Sequence, residues 1–196
     1  GAGERPGMLG ELWAGLQLAR ADAAFASMLG VTVIANLFWW SHTPLVQVLA
    51  ARFGATPAQT GLLASAVGYG LLLANLAVSL ANPSCQGLLY CGGIGLAALA
   101  LPGATAPCFS LAAGCLLVSG FFAGLFTSVQ NTIVVGMVPE ELRSRAIGMN
   151  AMAIGALPLG MAGLGELADR WGAPCALRAF ALAGCAAEAL WLAALP

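Results

Sequence analysis

The feature that most constrains the fold is a long stretch without charge, which runs from Phe53 to Pro139. A helix that crosses the hydrocarbon core of a bilayer needs only about 20 apolar residues. The stretch must therefore hold several crossings in succession, joined by very short connections. In the whole chain 60% of the residues are hydrophobic and 8% are charged, against roughly 25% charged residues in ordinary soluble domains. The sequence predicts an all-α integral membrane protein.

Six spans are predicted from apolar length and from the turn residues between them. The second has the clearest start, because Thr56 is suited to the N-cap, Pro57 to the first helical position and Gln59 to the reciprocal side of a capping box. The predicted spans are 23–43, 58–81, 85–102, 107–136, 144–166 and 174–195. A linker over 1–22 precedes them and carries a short amphipathic helix suited to the membrane surface.

The end of the first span is predicted from two tryptophans and a proline. Trp39 and Trp40 are suited to the headgroup level, and Pro44 discourages a simple continuation of the helix. Residues 45–53 are then expected to form a brief turn or helix outside the bilayer. His42 lies beside these residues, and an interfacial histidine is the favoured interpretation.

Charges gather in the stretch VPEELRSRAIGMN, which begins at Val138. Pro139 is suited to start a helix, and Glu140 would occupy its first turn, where the partial positive charge of the helix N-terminus favours anions. Arg143 and Arg145 are then expected at the phosphate level. The stretch marks a corner where the chain leaves and re-enters the bilayer.

Three pieces of sequence carry a family resemblance: TPAQTGLLASAVGYGLLLANL in the second span, GLFTSVQNTIVVGMVPEELRSRAIGMN in the fourth span and its loop, and AIGALPLGMAGLGELADRWG in the fifth. In this order they resemble the C-terminal six-helix half of a major facilitator superfamily transporter, nearest to the drug and siderophore efflux branch. The loop after the second span reads LANPSCQG, without the basic motif that the superfamily usually has there. Ser144 stands where the family tends to have glycine.

The resemblance implies one half of a twelve-helix bundle, with a substrate path between two such halves. It implies a secondary transporter that exports a small amphipathic molecule by alternating access, with no catalytic residue and no cofactor. Its expected partners are the lipid bilayer, an N-terminal six-helix half encoded upstream or as a separate chain, and the substrate, with a proton left open as coupling ion. A non-transporting scaffold or regulatory half is the alternative.

Uncharged polar residues within spans are the candidates for substrate contact, because polar groups in lipid are costly, although many serve only to bond a neighbouring helix. In the family the first, second, fourth and fifth spans of this half face the central cavity, and the candidates fall on those spans. They are Asn36, Tyr69, Asn75, Gln130, Asn131 and Asn150. The resemblance assigns a gating loop to Pro139, Glu140, Arg143 and Arg145.

Small residues are spaced for close helix packing, which is the default interpretation, with sliding or hinge surfaces as the other. Gly155, Pro158 and Gly160 are the predicted hinge or packing positions in the fifth span. The other predicted packing faces are Gly61, Ser65 and Gly68; Gly120 and Gly124; and Gly163 and Gly165.

One residue, Glu188, and one pair of cysteines keep more than one interpretation. Glu188 is the carboxylate well inside a span, and snorkelling to the surface is favoured over proton coupling. If export is proton-driven, the essential carboxylate is expected in the partner half. Cys108 and Cys175 fall near loops on one side, and whether they pair depends on whether that side is oxidising.

The sequence argues against several other classes. It has a net charge of −1 and no basic cluster for nucleic acid, and neither Cys-x-x-Cys pairs nor histidines for a metal. A rhomboid-type protease needs a G-x-S-G serine, but Leu117 precedes Ser119. An aquaporin needs two Asn-Pro loops, and only Asn82 begins one. A small arginine excess on the side of both ends favours a bacterial cytoplasmic membrane with cytoplasmic ends.

Overall fold

A computed structural model describes residues 22–194, and this part of the chain is helical, without a strand. Within it six helices are long and apolar enough to cross a membrane, which agrees with the six predicted spans. They run over Ala23–Arg52, Pro57–Ala81, Gln86–Thr105, Phe109–Gly136, Glu140–Trp171 and Ala173–Ala194. The predicted surface helix before residue 22 lies outside the described residues.

The first span was predicted to end at residue 43, but it continues to Arg52 through three changes of helix type. An α-helix over Ala23–Ile34, capped by Asp22, passes into a π-helical turn over Ala35–Trp39. A 3-10 turn over Trp40–His42 follows, and a second α-helix covers Leu45–Arg52. Pro44 stands directly before that second helix, where its missing N–H breaks no helical hydrogen bond. Leu49 is buried, so this segment packs into the bundle.

Trp39 and His42 are buried within the bundle, and their position at the headgroup level stays a prediction. Trp39 is 1% exposed, and its indole Nε1 donates to Ser119 Oγ at 2.9 Å. Ser119 Oγ in turn donates to the carbonyl oxygen of Ala97 at 2.7 Å. The chain of bonds ties the first, fourth and third spans together, since an indole N–H in an apolar interior needs an acceptor. His42 is buried with Nδ1 against the Trp39 carbonyl.

The capping box at the start of the second span is confirmed. Gln59 N donates to Thr56 Oγ1 at 3.3 Å, and Thr56 N donates to Gln59 Oε1 at 2.9 Å. Pro57 is the first residue of the helix. These bonds satisfy two backbone donors that a helix N-terminus otherwise leaves without partners.

The second and fourth spans pack along glycines. A Cβ at Gly120 would overlap the backbone of Val67, and one at Gly124 would overlap Ala74. On the facing helix the close approach is at Gly70, and not at the predicted Gly61 or Gly68, which have nothing within 4 Å. In lipid, helix association relies on such close backbone approach. Within residues 22–194 the face with Gly61 and Gly68 has no helix neighbour.

The fifth span is interrupted. A 3-10 turn over Glu140–Leu142 follows Pro139 and leads into an α-helix over Arg143–Ile154; a second α-helix covers Leu157–Trp171. The break falls at Gly155 and Ala156, just before Leu157 and Pro158. The proline nitrogen has no hydrogen to donate to the preceding turn, so it cannot continue the first helix. Beyond the break Gly160 meets the first span, where a Cβ would overlap the carbonyl of Leu37.

The sixth span packs against the first, third and fifth. Gly184 faces Phe38 so closely that a Cβ would contact the Phe38 Cβ at 2.6 Å. Trp191 lies against Gly30, and its Nε1 donates to the carbonyl oxygen of Ser27 at 3.1 Å. The first span therefore runs between the sixth and the fifth, with glycines at the closest approaches.

Candidate functional site

A cluster of uncharged polar side chains lies buried where four spans meet. Thr32 of the first span is at its centre, and Thr32 Oγ1 lies 2.5 Å from the Tyr90 hydroxyl of the third span. Tyr90 also donates to the carbonyl oxygen of Met28 at 2.9 Å. Both side chains are buried. We call this group, with Gln130, Asn150 and Asn36, the polar cluster.

The fourth and fifth spans contribute two of the three amides of the polar cluster. Gln130 Nε2 donates to Thr32 Oγ1 and to Asn150 Oδ1, each at 3.2 Å. Thr32 Oγ1 also lies 3.3 Å from Asn150 Oδ1. The Thr32 hydroxyl has one hydrogen and several acceptors within reach, so the pattern of bonds can change without moving an atom far. The fold thus brings together two predicted residues, Gln130 and Asn150.

Asn36 joins the polar cluster through the backbone. Its Nδ2 donates to the carbonyl oxygen of Thr32 at 2.9 Å, and its side chain is buried. Asn36 lies in the π-helical turn, which widens the helix by one residue. Single π-turns of this kind are frequent at functional sites. The backbone is therefore irregular directly beside the polar cluster.

The three other predicted residues lie outside the polar cluster. Asn75 and Asn131 are exposed, and Tyr69 is 55% exposed. Asn75 Oδ1 accepts a hydrogen bond from Ser128 Oγ at 2.5 Å. Asn131 lies one turn beyond Ser128 along the fourth span, on the same side of that helix. The second and fourth spans thus present a separate, outward polar strip of Asn75, Ser128 and Asn131.

The predicted gating loop lies on the surface of the described part. Pro139, Glu140, Arg143 and Arg145 are exposed. The one ion pair within residues 22–194 is elsewhere, between Arg170 and Glu166 at 2.6 Å on the exposed end of the fifth span. The corner charges are therefore available for lipid phosphates or for a further polypeptide.

The sequence interpretation missed two members of the polar cluster, Thr32 and Tyr90. Tyr90 lies on the third span, which the family resemblance does not place at the cavity. A local signal existed for Thr32, because it stands four residues before Asn36 on the same helix face. For Tyr90 the signal was a phenol within an apolar span, since a buried hydroxyl needs a partner.

The chemistry of the polar cluster is hydrogen bonding. Its members are a hydroxyl, a phenol and three amides, which neither attack nor transfer a proton readily near neutral pH. Within residues 22–194 no three His, Cys, Asp or Glu side chains come together to hold a metal ion. All six cysteines are free, and Cys108 and Cys175 are exposed without a bond between them.

No family model matches the chain, and the searches of curated proteins and of solved structures also return no match.

Proposed function

We propose that this chain is the C-terminal six-helix half of a secondary transporter that exports a small amphipathic molecule by alternating access. The observation that carries the proposal is the polar cluster, in which hydroxyl and amide groups from four spans meet inside an apolar bundle. Polar groups at membrane depth are costly and usually serve a substrate path or a helix contact. The motifs that resemble the major facilitator superfamily support the first of these.

Two helix faces that no helix of the described part covers support the expected second half. The second and fifth spans are the least buried of the six. The second exposes Leu62, Leu72 and Leu76 beside the open positions Gly61 and Gly68. Small residues in a span permit close approach of another helix. A six-helix partner would have space for such an approach here, with the outward polar strip near its edge.

Alternating access needs elements with two arrangements, and this chain has two suitable ones. The π-helical turn at Asn36 lies in the first span, and the break at Gly155 lies in the fifth. Both adjoin the polar cluster, because Asn36 belongs to it and Asn150 stands just before the break. When these helices shift, the mutual bonds of the amides would be exchanged for bonds to a substrate. No covalent bond is made or broken.

One observation favours the alternative of a non-transporting scaffold or regulatory half. The polar cluster is internally satisfied: every buried side-chain nitrogen or oxygen in it has a partner. A satisfied network can serve simply to fix helix positions. The two functions differ in whether a solute moves.

The deciding experiment is export by the complete protein encoded by the gene, in bacterial cells that lack their major efflux pumps. Ethidium, carboxyfluorescein and Nile red serve as cationic, anionic and neutral amphipathic probes. We expect faster loss of at least one probe, and a loss of this effect in Gln130→Leu. Gln86→Leu, which changes an amide at the start of the third span, is the matched control. If none of the probes moves although the protein is present in the membrane, the scaffold alternative holds.

A further inference from the structure

Glu188 lies deep in the contact between the sixth and third spans. Its side chain is 5% exposed, so the predicted snorkelling to the surface is wrong. Within residues 22–194, its Oε1 is the one buried side-chain nitrogen or oxygen atom without a hydrogen-bond partner. The remaining carboxylates of this part lie on the surface or, for Asp22, cap a helix. This buried carboxyl group therefore needs an explanation of its own.

The third span leaves space for the Glu188 carboxyl group. Glu188 Oε2 would lie 3.0 Å from a Cβ at Gly95, so only a glycine leaves this position uncrowded. Cys185 stands one turn before Glu188, and its Sγ lies 3.9 Å from the Gly95 carbonyl oxygen. Cys91 stands one turn before Gly95. We call the contact of the Glu188 carboxyl group with Gly95, one helical turn from both cysteines, the pocket.

No cation of the described part faces this carboxyl group. The titratable groups closest to it are the thiols of Cys91 and Cys185 and the phenol of Tyr90. The first span has no charged residue from Ala23 to Trp39. The charges of the packed fifth-span helix, Glu166, Asp169 and Arg170, lie at its exposed end, and Arg52 and Arg178 are themselves exposed.

The surroundings of the Glu188 carboxyl group favour a proton over a metal cation as its ligand. An unpaired carboxylate in an apolar interior costs several kcal/mol even after relaxation. A metal cation would need several oxygen ligands, and within residues 22–194 no group of three His, Cys, Asp or Glu side chains could hold one. A proton needs no further ligand, because it removes the negative charge of the carboxylate and converts one of its oxygens into a hydrogen-bond donor. The pocket fits a proton.

The third span connects this pocket to the polar cluster. Tyr90 directly precedes Cys91, and its hydroxyl bonds to Thr32 of the polar cluster, while Cys91 stands one turn before Gly95. The sixth span is tied to the first through Trp191 and Ser27. A separation of the third and sixth spans that admits water to Glu188 would also move Tyr90 relative to Thr32.

We infer that Glu188 is a proton-binding site, loaded in the arrangement described here and emptied when the third and sixth spans separate; its use in coupling rests on the proposed transport function. On release the O–H bond breaks, the electron pair stays on the carboxylate oxygen, and the proton passes to a water molecule. Linkage requires that a substrate at the polar cluster and the proton at Glu188 change each other's affinity by the same factor. The inference puts the proton site in this half, whereas the sequence led us to expect it in the partner half.

The proton itself is tested by infrared difference titration of the complete protein in vesicles of phosphatidylethanolamine and phosphatidylglycerol. At neutral pH we expect the carbonyl band of a protonated carboxyl group in a dry setting. The band should be lost in Glu188→Gln and kept in the exposed control Glu166→Gln. It should also shift in Gly95→Ala, whose Cβ presses on the carboxyl group. Identical spectra for the wild type and Glu188→Gln would overturn the inference.

Labelling with dicyclohexylcarbodiimide gives a second measurement, because this apolar reagent reacts with protonated carboxyl groups. The mass of the adduct should map to Glu188, and labelling should decline as the pH rises. Glu188→Leu guards against a folding failure, since an apolar residue of similar size in place of a buried ionisable group is often neutral or stabilising. A folded Glu188→Leu protein that labels as strongly as the wild type would contradict the inference.

The coupling is tested with whichever probe the wild type exports. Glu188→Gln should keep downhill movement of that probe but lose its response to an imposed pH gradient. A response equal to that of the wild type would reject coupling through Glu188. If the wild type moves no probe, the proposed function fails, whereas the infrared and labelling results still decide the proton site.

Discussion

Gln130 Nε2 donates to Asn150 Oδ1 at 3.2 Å and so bonds the fourth span to the fifth, across the corner that holds Glu140 and Arg145. The two amides are the predicted candidates that the fold brings into direct contact. Their bond also closes the polar cluster, because Gln130 donates to Thr32 as well.

A double-mutant cycle with Gln130→Leu and Asn150→Leu measures the strength of this hydrogen bond. Hydrogen bonds between spans are worth about 0.6 kcal/mol on average and up to about 1.7 kcal/mol. We expect a coupling energy in that range, measured as the free energy of unfolding in detergent. A parallel cycle with Gln86→Leu and Asn150→Leu should give no coupling. Equal values for the two cycles would contradict the contact.

The glycine packing of the second and fourth spans predicts opposite effects of two similar substitutions. Gly120→Ala places a Cβ against the Val67 backbone and should lower the free energy of unfolding by about 1 to 3 kcal/mol. Gly114→Ala on the same helix meets open space, and the better helix propensity of alanine should leave the protein as stable or raise its stability by up to about 1 kcal/mol. Thermal unfolding in detergent compares them. Equal losses would argue against the packing described.

Native cysteines test the six-span topology. Cys85 lies between the second and third spans, whereas Cys108 and Cys175 lie at two of the three connections that six crossings would put on the opposite side. With single-cysteine variants in intact cells, an impermeant maleimide should label Cys108 and Cys175 and should reach Cys85 only after permeabilisation. Labelling of Cys85 and Cys108 from the same side would contradict an alternation of six crossings.

Cys108 should also react at lower pH than an ordinary thiol. The backbone N–H of Leu111 and the hydroxyl of Ser110 lower the pKa of the Cys108 thiol, and the thiolate is the reactive form. The maleimide rate at Cys108 should therefore persist to lower pH than that of an unstructured cysteine peptide. In Ser110→Ala the pH profile should move part of the way back. A pH profile identical to that of the peptide would contradict the lowered pKa of the Cys108 thiol.

The outward polar strip gives a separate prediction for export. Asn131→Leu in the complete protein should impair export of the transported probe without lowering the amount of protein in the membrane, because Asn131 is exposed and its loss opens no cavity. Thr132→Val at the next exposed position is the matched control. Export by Asn131→Leu that equals the control would remove Asn131 from the substrate-binding candidates.

Several elements could be predicted because their causes are local. The capping box of Thr56 and Gln59 needs four consecutive residues, and the corner at Pro139 needs a proline followed by acidic residues. The wrong prediction of the end of the first span was also local in origin. A proline before a helix and a tryptophan at a span end are typical of an interface, but here a buried acceptor, Ser119 Oγ, accepts the indole N–H.

The sequence by itself determined that six helices are long and apolar enough to cross a bilayer, and about where most of them begin and end, because apolar length and cap chemistry do not depend on distant residues. Only the tertiary structure decided which sides of these helices meet. A helix that is apolar all round has no preferred inward face, so its rotation is set by packing with its neighbours. That rotation brings Thr32 and Tyr90 to Gln130, turns Gly70 rather than Gly68 toward the fourth span, and buries Glu188.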